Sequence, residues 1–583
     1  MAKKKTEKPE SRLPSEEDKR LREFTQEFLA DWRADSEFRK NSKEDNDFYD
    51  GKQLSQEEIE TLEERGQPPV TINRIKPKLD AIFGMQQAMR VDTKAYPAGE
   101  REVEAQELSE FLRRIEDDND FDDAESLAFE EICVAGRAFY EIGKKWDGLS
   151  SRHFVKKAFL EDVTPCRKSR LADLSDAKRI HQSVWMDLDD AQALFPHAKE
   201  QLRHSADEKA LDLAADPENR RVKPDQYRQG VVGRDDLREF ADLKNRRVRI
   251  VKTYYRTQEP RRFYFHAQLP SPADVTDLDA KSFETLKAAH PNGHVVTQPD
   301  KKLHCYTFTW NAELEHIKDI RNYDPEAKFP FVMIEGYREK NGQVPYGLVR
   351  QMKDPQREVN KRRSKSLHLI SVNRTIFEEG TFKNPGAMKD EVQKPDAWIE
   401  VLPNMGGKFQ LQNNLDMGAT HFQLLQQATA EIDAAGVSKE LEGRSGASSG
   451  RDFQLRQQQA VQPIRKIVSN LRSGRRRAAL YLMDEFNQEH PDLALQKHDV
   501  VVEEAPDTLN LQQETFDKLA GFAEKGIVPP GFVQLLLQAS NLDPAMKKKF
   551  NELFEAQKQA QMAALQAQAQ VGAAGAVPSG GVQ

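Results

Sequence analysis

Two helical patterns that enclose a short, turn-rich segment constrain the fold of this chain more than any other feature. The first opens at Asp354-Pro355, with Asp at the N-cap and Pro in the first turn, and continues to about residue 373. The second occupies about 417–435, and the intervening segment, about 375–412, is rich in turn formers and β-type residues. The pattern therefore permits two helices that lead out to a compact insert and back from it.

The remaining pattern predicts an α+β protein that is mainly helical. Further helices are expected at about 16–40, from Arg74 to Met89, over Leu108–Ile115, at about 122–136, at about 450–489 and between 508 and 563. Their apolar faces include Leu21, Phe24, Phe28 and Trp32 in the first helix, and Ile75, Leu79, Ile82, Phe83 and Met89 in the second. No internal repeat is present in the sequence.

Strands are expected mostly between residues 135 and 345. AGRAFYEIGKKWD (135–147) passes into a strand, DFYDG (47–51) indicates a turn, and PVTIN (69–73) indicates a short strand or an extended connector. Further strand predictions are HFVKKAFL, RRVRIVKTYYRT, RRFYFHAQ, HVVTQ, KLHCYTFTW and FPFVMIEGY, with polar insertions or helices at 195–240 and 270–292.

The composition excludes several classes of protein. Lys and Arg number 88 against 96 Asp and Glu, a formal net charge of -8, whereas a protein that grips nucleic acid is usually basic. The mean hydropathy is -0.78, and no apolar stretch approaches the roughly 18 residues of a membrane span. The three cysteines are far apart and the basic N-terminus lacks an apolar signal segment, so we expect a reducing cytoplasm or a particle assembled there.

The sequence offers no catalytic, metal or cofactor site. The motifs HExxH, GxSxG and the EF-hand loop do not occur, and the glycine-rich segment 443–450 lacks the lysine of a phosphate-binding loop, which favours a plain loop. His290 and His294 flank Pro291 and Gly293, which favour a turn over a metal site. Clustered carboxylates are expected as solvated helix faces at this charge density. The chain is therefore not expected to be an enzyme.

Four stretches in order resemble the portal proteins of short-tailed phages. They are PPVTINRIKPKLDAIFGMQQAMRVDTKAYP (68–97), FEEICVAGRAFYEIG (129–143), FPFVMIEGY…PYGLVRQMKDPQREVNKRRSKSLHLI (329–370) and SGASSGRDFQLRQQQAV (445–461), the third being the most specific. With their spacing they cover roughly 45–490. Some relatives carry a longer C-terminal helical barrel, whereas this chain stops soon after Gln570, which implies at most a short barrel.

The resemblance implies a portal fold with wing, stem, clip and crown regions, whose copies, usually twelve, assemble as a ring around a channel. The implied divisions are an N-terminal arm and helix (1–44), an α+β wing or body (45–346), a first stem helix (347–374), a clip (375–412), a second stem helix (413–435), a channel-side loop (436–450), a long wing helix (451–490), crown helices (491–563) and a disordered tail (564–583).

The implied function is to conduct DNA through one capsid vertex during genome packaging, retention and ejection, without hydrolysis by the chain itself. Its implied partners are further copies of the chain, the major capsid and scaffolding proteins, the terminase packaging motor, a tail adaptor and double-stranded DNA in transit. No membrane or cofactor is implied. The expected location is the virion, and the host cytoplasm during assembly.

Two sets of candidate site residues accompany these divisions. Basic residues expected to contact DNA or a neighbouring subunit are Arg357, Lys361, Arg362, Lys365, Arg444, Arg451, Arg475 and Arg476, and the sequence leaves open which contact is made by which. Arg444 and Arg451 are favoured for DNA because a loop rich in glycine and serine can reach a lumen. Candidate contacts of the clip with a tail adaptor are Phe382, Pro385, Met388, Trp398 and Ile399.

Two alternatives belong to other functional classes. A helical scaffold or adaptor without a channel is the first, although the strand-rich region 150–345 and the insert at 375–412 argue against a purely helical protein. A nuclease or nucleoside triphosphatase is the second.

The basic helix at 350–365 and the acidic segments within 102–131 supply candidate ring faces, although single charges of this kind are more often simply solvated.

Overall fold

The structure, a computed structural model, describes residues 15–88, 93–97, 101–146, 148, 151–206, 239–266, 269, 272–276, 278–321, 327–371, 373–392, 398–403, 408–413, 415–435, 464–493 and 500–504. The chain divides into two compact units. The first comprises residues 1–86 and 110–497, and the second comprises residues 87–109 and 498–583. The described part is an α+β fold, as the sequence predicts, and in it no helix is apolar over enough of its length to cross a bilayer.

The first unit begins with two helices where the sequence predicts one. Helix α1 (Glu16–Ala34) starts at a capping box of Ser15 and Asp18, and α2 (Ser36–Asp50) follows after a break at Asp35. The carboxylate of Asp35 at this break accepts hydrogen bonds of 2.9 and 2.6 Å from both Nη atoms of Arg137. The predicted turn DFYDG is instead the last turn of α2 and its C-cap, Gly51, whose φ of 89° suits a glycine.

Four more helices follow along the chain, and the predicted apolar faces are confirmed. They are α3 (Gln56–Glu64), α4 (Ile75–Ala88), α5 (Glu102–Asp118) and α6 (Phe121–Val134). Every predicted face residue of α4 and α5 that the structure describes is buried, and Met89 lies outside the described residues. PVTIN is an extended connector without strand pairing to the described residues.

A large antiparallel sheet forms the β part of the first unit. Its order is β10 (Ala312–Arg321), β9 (His294–Thr309), β7 (Arg247–Phe265), β5 (Arg179–Asp187) and β4 (Val163–Pro165), and two short strands, β6 (Ala241–Asp242) and β8 (Ala273–Asp274), also pair with β7. Three helices lie between strands of this sheet along the chain: α7 (Leu188–Leu194), α8 (Lys199–Ser205) and α9 (Ala280–Ala289). The aromatic face of α1 packs on this sheet, where Phe28 belongs to the same buried cluster as Val251 and Phe308.

Strands β7 and β9 correct the sequence prediction, which divided each of them in two. Pro260 and Pro299, which suggested breaks, lie directly opposite each other in the paired strands. On the outer side of β7, strand β5 pairs only as far as Tyr255, and on the outer side of β9, strand β10 pairs only as far as Leu303. A residue at position 260 or 299 would therefore have no neighbouring strand to accept a hydrogen bond from an N–H that points away from the β7–β9 pair. The missing donors therefore cost the sheet nothing, and the two strands run on as a long ribbon.

A smaller sheet of β11 (Phe331–Glu335), β2 (Arg137–Trp146) and β3 (Ser151–Ala158) packs against helix α6 and is followed by a short pair, β12 (Tyr337–Arg338) and β13 (Pro345–Tyr346). Gly136 precedes β2 with a φ of 93°, and a Cβ there would lie 2.2 Å from the backbone of Tyr346. Helix α13 (Arg465–Glu489) also packs on β11. It ends where the sequence predicts, and the predicted part from 450 to 463 lies outside the described residues.

The described part of the second unit contains an antiparallel pair of strands. Strand β1 (Thr93–Pro97) pairs with β16 (Val500–Glu504), from Thr93 opposite Glu504 to Pro97 opposite Val500. Strand β1 ends the first of the four stretches that carry the family resemblance, and the sequence does not predict β16. The helices predicted between 508 and 563 and the tail from 564 to 583 lie outside the described residues.

A buried ionic cluster joins α1 to the large sheet. The carboxylate of Asp31, which is 1% exposed, accepts hydrogen bonds from Arg179 Nε at 2.7 Å and from Arg167 Nη1 at 2.9 Å. His181 Nε2 lies 3.2 Å from Asp31 Oδ2, and its Nδ1 lies 2.7 Å from the hydroxyl of Thr253. Burial alone would raise the pKa of Asp31, but the hydrogen bonds from His181 and Arg179 lower that pKa to about 2.

We expect this cluster to weaken in acid. A carboxylate whose pKa is lowered from 3.8 to about 2 contributes stability above pH 3.8 that is lost as the pH falls towards 2. Nearly two pKa units correspond to roughly 2 kcal/mol. Burial also lowers the pKa of His181, which acts in the same direction. Urea unfolding should therefore show the stability gap between the wild type and Asp31→Asn closing between about pH 5 and about pH 2.5, and a constant gap would contradict the assignment.

Candidate functional site

The helix pair predicted from the sequence is present, and the insert between its helices is closed at its base. Helices α10 (Val349–Ser371) and α12 (Leu415–Ala435) pack against each other. Between them lie β14 (Asn373–Phe377), α11 (Pro385–Val392) and β15 (Phe409–Asn413). Strands β14 and β15 pair antiparallel, with Asn373 opposite Asn413 and Phe377 opposite Phe409. The chain thus leaves along one helix and returns along the other through a shared ribbon.

Helix α10 begins earlier than its capping pattern predicts. Asp354 is not an N-cap, because the helix starts at Val349 and contains Pro355 in its interior. Leu348, Val349 and Met352 are buried, and the N–H of Leu348 bonds to the carbonyl of Cys133 at 2.7 Å. Burial of these apolar side chains favours the earlier start, although Pro355 has no N–H to donate to the preceding turn.

One face of α10 holds an extended segment of the chain, residues 66–74, which we call the strap. Gln356, Asn360 and Ser364 are buried, and their side-chain oxygens accept hydrogen bonds from the N–H groups of Arg74, Ile72 and Val70 at 3.0, 3.0 and 3.3 Å. His368 continues the row, because its Nδ1 lies 2.9 Å from the carbonyl oxygen of Gly66. Gln356, Asn360 and Ser364, spaced four apart on the helix, thus satisfy the N–H groups of alternate strap residues from Val70 to Arg74.

Sequence reasoning did not assign these four polar residues a role. Their spacing of four along α10 was a usable signal, because it places four hydrogen-bonding side chains on a single helix face. They fix the strap, and with it the start of α4, to the helix pair. Lys353 adds to this attachment through Asp45 of α2, with Nζ 2.8 Å from Oδ1.

The adjoining face of α10 is basic and forms one wall of an open groove with a volume of about 420 Å³. Its lining residues are Asp354, Arg357, Glu358, Lys361, Arg362, Lys365 and, from α12, His421. Arg357 pairs with Asp354 and Glu44, and Arg362 pairs with Glu358. Lys361 and Lys365 are exposed and have no carboxylate partner among the described residues. Burial, together with the charges of Lys365 and Arg362, lowers the pKa of His421.

The other predicted basic residues lie elsewhere. Arg475 of α13 is 2% exposed, and its guanidinium donates hydrogen bonds to Glu125 Oε2 at 2.9 Å and Glu116 Oε2 at 3.0 Å. The charges of Glu125, Glu116 and Asp122 outweigh the effect of its burial and raise its pKa. A guanidinium placed in this way is not accessible to a phosphate or to another subunit. Arg476 is exposed on the same helix, and Arg444 and Arg451 lie outside the described residues.

The five apolar residues predicted in the insert separate into buried and exposed ones. Phe382 and Met388 are buried, and the ring of Phe382 lies 5.0 Å from that of Phe377. Trp398 is 87% exposed and Ile399 is half-buried, whereas Pro385 begins α11 and its side chain is not described. Ile376 and Phe377, at the far end of β14, are also exposed and were not predicted. The insert therefore presents large apolar side chains to solvent as well as a small core of its own.

Comparison with known proteins supplies one match. The family model described as "Phage P22-like portal protein" matches residues 25–488, which is more than half of the 583-residue chain. The match includes α10, the insert, α12 and nearly all of α13. A search of curated proteins finds no match to the chain. In the described residues no group of three or more His, Cys, Asp and Glu side chains is arranged to hold a metal ion.

Proposed function

The chain belongs to the P22-like family of phage portal proteins, which are structural components of the virion capsid, and from that premise we propose that its copies close into a ring that conducts DNA at one vertex. The ring would have about twelve subunits, as the resemblance implies. It would serve genome packaging, retention and ejection, and the chain itself would hydrolyse nothing.

The helix pair with its closed insert is the observation that supports this proposal most directly. In the proposed assignment α10 and α12 are the two stem helices, residues 375–412 are the clip, and α13 belongs to the wing. The exposed side chains of Trp398, Ile376 and Phe377 offer a tail adaptor or the terminase motor an apolar surface at the end of the ribbon. The capsid and scaffolding proteins would bind elsewhere on the ring.

The net charge of the chain supports a ring through which DNA slides rather than one that holds DNA tightly. With a formal charge of -8 for each copy, the wall of a ring does not attract DNA overall, so the duplex can slide. Local contacts with phosphates are proposed for three arginines. These are Arg476 on α13, together with Arg444 and Arg451 in segments outside the described residues.

We expect the purified chain to form rings with a central hole wide enough for a duplex. Size-exclusion chromatography with light scattering should give one species of about twelve chains, and negative-stain images should show annular particles. A stable monomer at high concentration would contradict the proposal, and rods or solid globules would favour a scaffold without a channel. Turnover assays on the same rings with nucleotide and DNA substrates should detect no hydrolysis.

A further inference from the structure

Helix α3 presents an acidic face that nothing in the described part of the chain covers. None of its nine residues is buried, and a capping box of Ser55 and Glu58 fixes its start. Glu57, Glu60 and Glu64 recur at helical spacing on the side opposite the half-buried Ile59 and Leu62. Among the described residues no cation lies within ion-pair distance of these three carboxylates. The side of α3 that carries Ile59 and Leu62 thus faces its own subunit, and the side that carries the three glutamates faces outward.

The groove on α10 has the complementary pattern. Arg357, Lys361 and Lys365 follow one another at intervals of four residues, which places a positive charge about every 6 Å along the helix. Of the cations that line the groove, Lys361 and Lys365 are exposed and have no carboxylate partner among the described residues. The wall that α10 contributes to the groove, from residue 354 to 365, is about 16 Å long, and the nine residues of α3 span about 14 Å.

We infer that in the assembled protein each groove holds the acidic face of α3 from a second copy of the chain. The inference rests on the proposed ring, in which every subunit must present two different, complementary surfaces to its neighbours. Glu57, Glu60 and Glu64 of one copy then lie against Arg357, Lys361 and Lys365 of the next. Such pairing fixes which faces meet and in what register, and it disfavours other arrangements by placing like charges together.

An acidic helix fits the groove better than a nucleic acid does. Asp354 and Glu358 lie in the groove beside the cations, and they would repel the continuous row of charges on a phosphate backbone, whereas an acidic helix can place separate carboxylates against the lysines alone. They already neutralise part of the charge of Arg357 and Arg362, so the unsatisfied charge is concentrated on the two lysines. Two or three carboxylates at helical spacing match that residual charge.

Two charge-reversal variants test the contact. One carries Glu57→Lys, Glu60→Lys and Glu64→Lys, and the other carries Lys361→Glu and Lys365→Glu. Each alone should raise the concentration needed for ring assembly about tenfold or more, because like charges then meet at every interface. An equimolar mixture should assemble at nearly the wild-type concentration, because each reversed helix finds a reversed groove and each normal helix a normal groove. Rescue by mixing also shows that both variants fold and that the contact joins different copies.

Two single substitutions serve as matched controls, and both should assemble like the wild type. Glu63→Lys reverses one negative charge on the flank of α3, and Lys340→Glu reverses one positive charge at an exposed lysine that does not line the groove. Wild-type assembly is measured first, so failure of the wild type to form rings is a failure of the proposed function. If the wild type forms rings and the reversed variants assemble equally well, the inference is wrong. It is also wrong if the groove variant assembles normally but binds duplex DNA more weakly, since the groove would then be a nucleic-acid site.

Discussion

Deleting residues 380–405 is expected to abolish infectivity while the rest of the chain still folds. The ends of this segment are already adjacent in the structure, because the N–H of Glu378 bonds to the carbonyl of Lys408 at 3.2 Å and their side chains pair at 2.7 Å. A short turn can therefore close the ribbon of β14 and β15 after the deletion. The deletion removes the buried Phe382 and Met388 together with the exposed Trp398.

Since the proposed clip is the contact with the terminase motor and the tail adaptor, particles carrying the deletion should be defective at packaging or tail attachment. Complementation of a phage that lacks the gene measures this directly, as the number of infectious particles relative to wild-type complementation. Circular dichroism and urea unfolding of the purified deletion protein show whether the remaining chain folds. Trp398→Ala is the milder companion variant, because it removes only the most exposed apolar side chain. Full infectivity of the deletion would show that the clip assignment is wrong.

Replacing Arg475 by alanine is expected to destabilise the first unit by about 3–5 kcal/mol, because it removes the cation that pairs with the buried carboxylate of Glu125. Glu125 is 3% exposed and loses its hydrogen bond from Nη1, and Glu116 loses its bond from Nη2. These bonds tie α13 to α5 and α6, so the three helices lose their shared ionic contact. Urea unfolding measures the change as a lower midpoint at an unchanged slope.

The neighbouring residue provides the control for this prediction. Arg476 has the same side chain one position along α13 but is exposed, so Arg476→Ala should change the free energy of unfolding by less than about 0.5 kcal/mol. Arg475→Lys should fall between the two, because an ammonium keeps the charge but cannot make two hydrogen bonds in the same fork. Equal effects of the two alanine substitutions would contradict the intramolecular role of Arg475.

Arg475 shows where sequence reasoning stops. The run Arg475–Arg477 is a basic spot in the sequence, but successive residues on a helix point about 100° apart, so the three side chains enter different environments. The carboxylates that accept hydrogen bonds from Arg475 belong to residues some 350 positions earlier in the chain, and no local pattern relates the two segments. Strand β16 was missed for the same reason, because its partner β1 lies about 400 residues away.

Features set by local pattern were predictable. The apolar faces of α1, α4 and α5 and the C-terminal end of α13 follow from periodicity and turn residues. Features whose local sequence signals are overridden by tertiary contacts were not predictable. The capping pattern at Asp354 yields to the burial of Leu348, Val349 and Met352, and the prolines of β7 and β9 are tolerated because their outward edges are unpaired. For the groove, the sequence supplies the basic residues but not the acidic helix we propose as their partner.

The attachment of the strap to α10 limits how this part of the chain can change length during evolution. Two residues of extended chain advance about 6.6 Å and four residues of helix advance about 6 Å, so the two repeats remain in step from Val70 to Arg74. Adding one residue to either side would put every later donor out of reach of its acceptor. Insertions or deletions here should therefore survive only in compensated form, two residues in the extended chain with four in the helix.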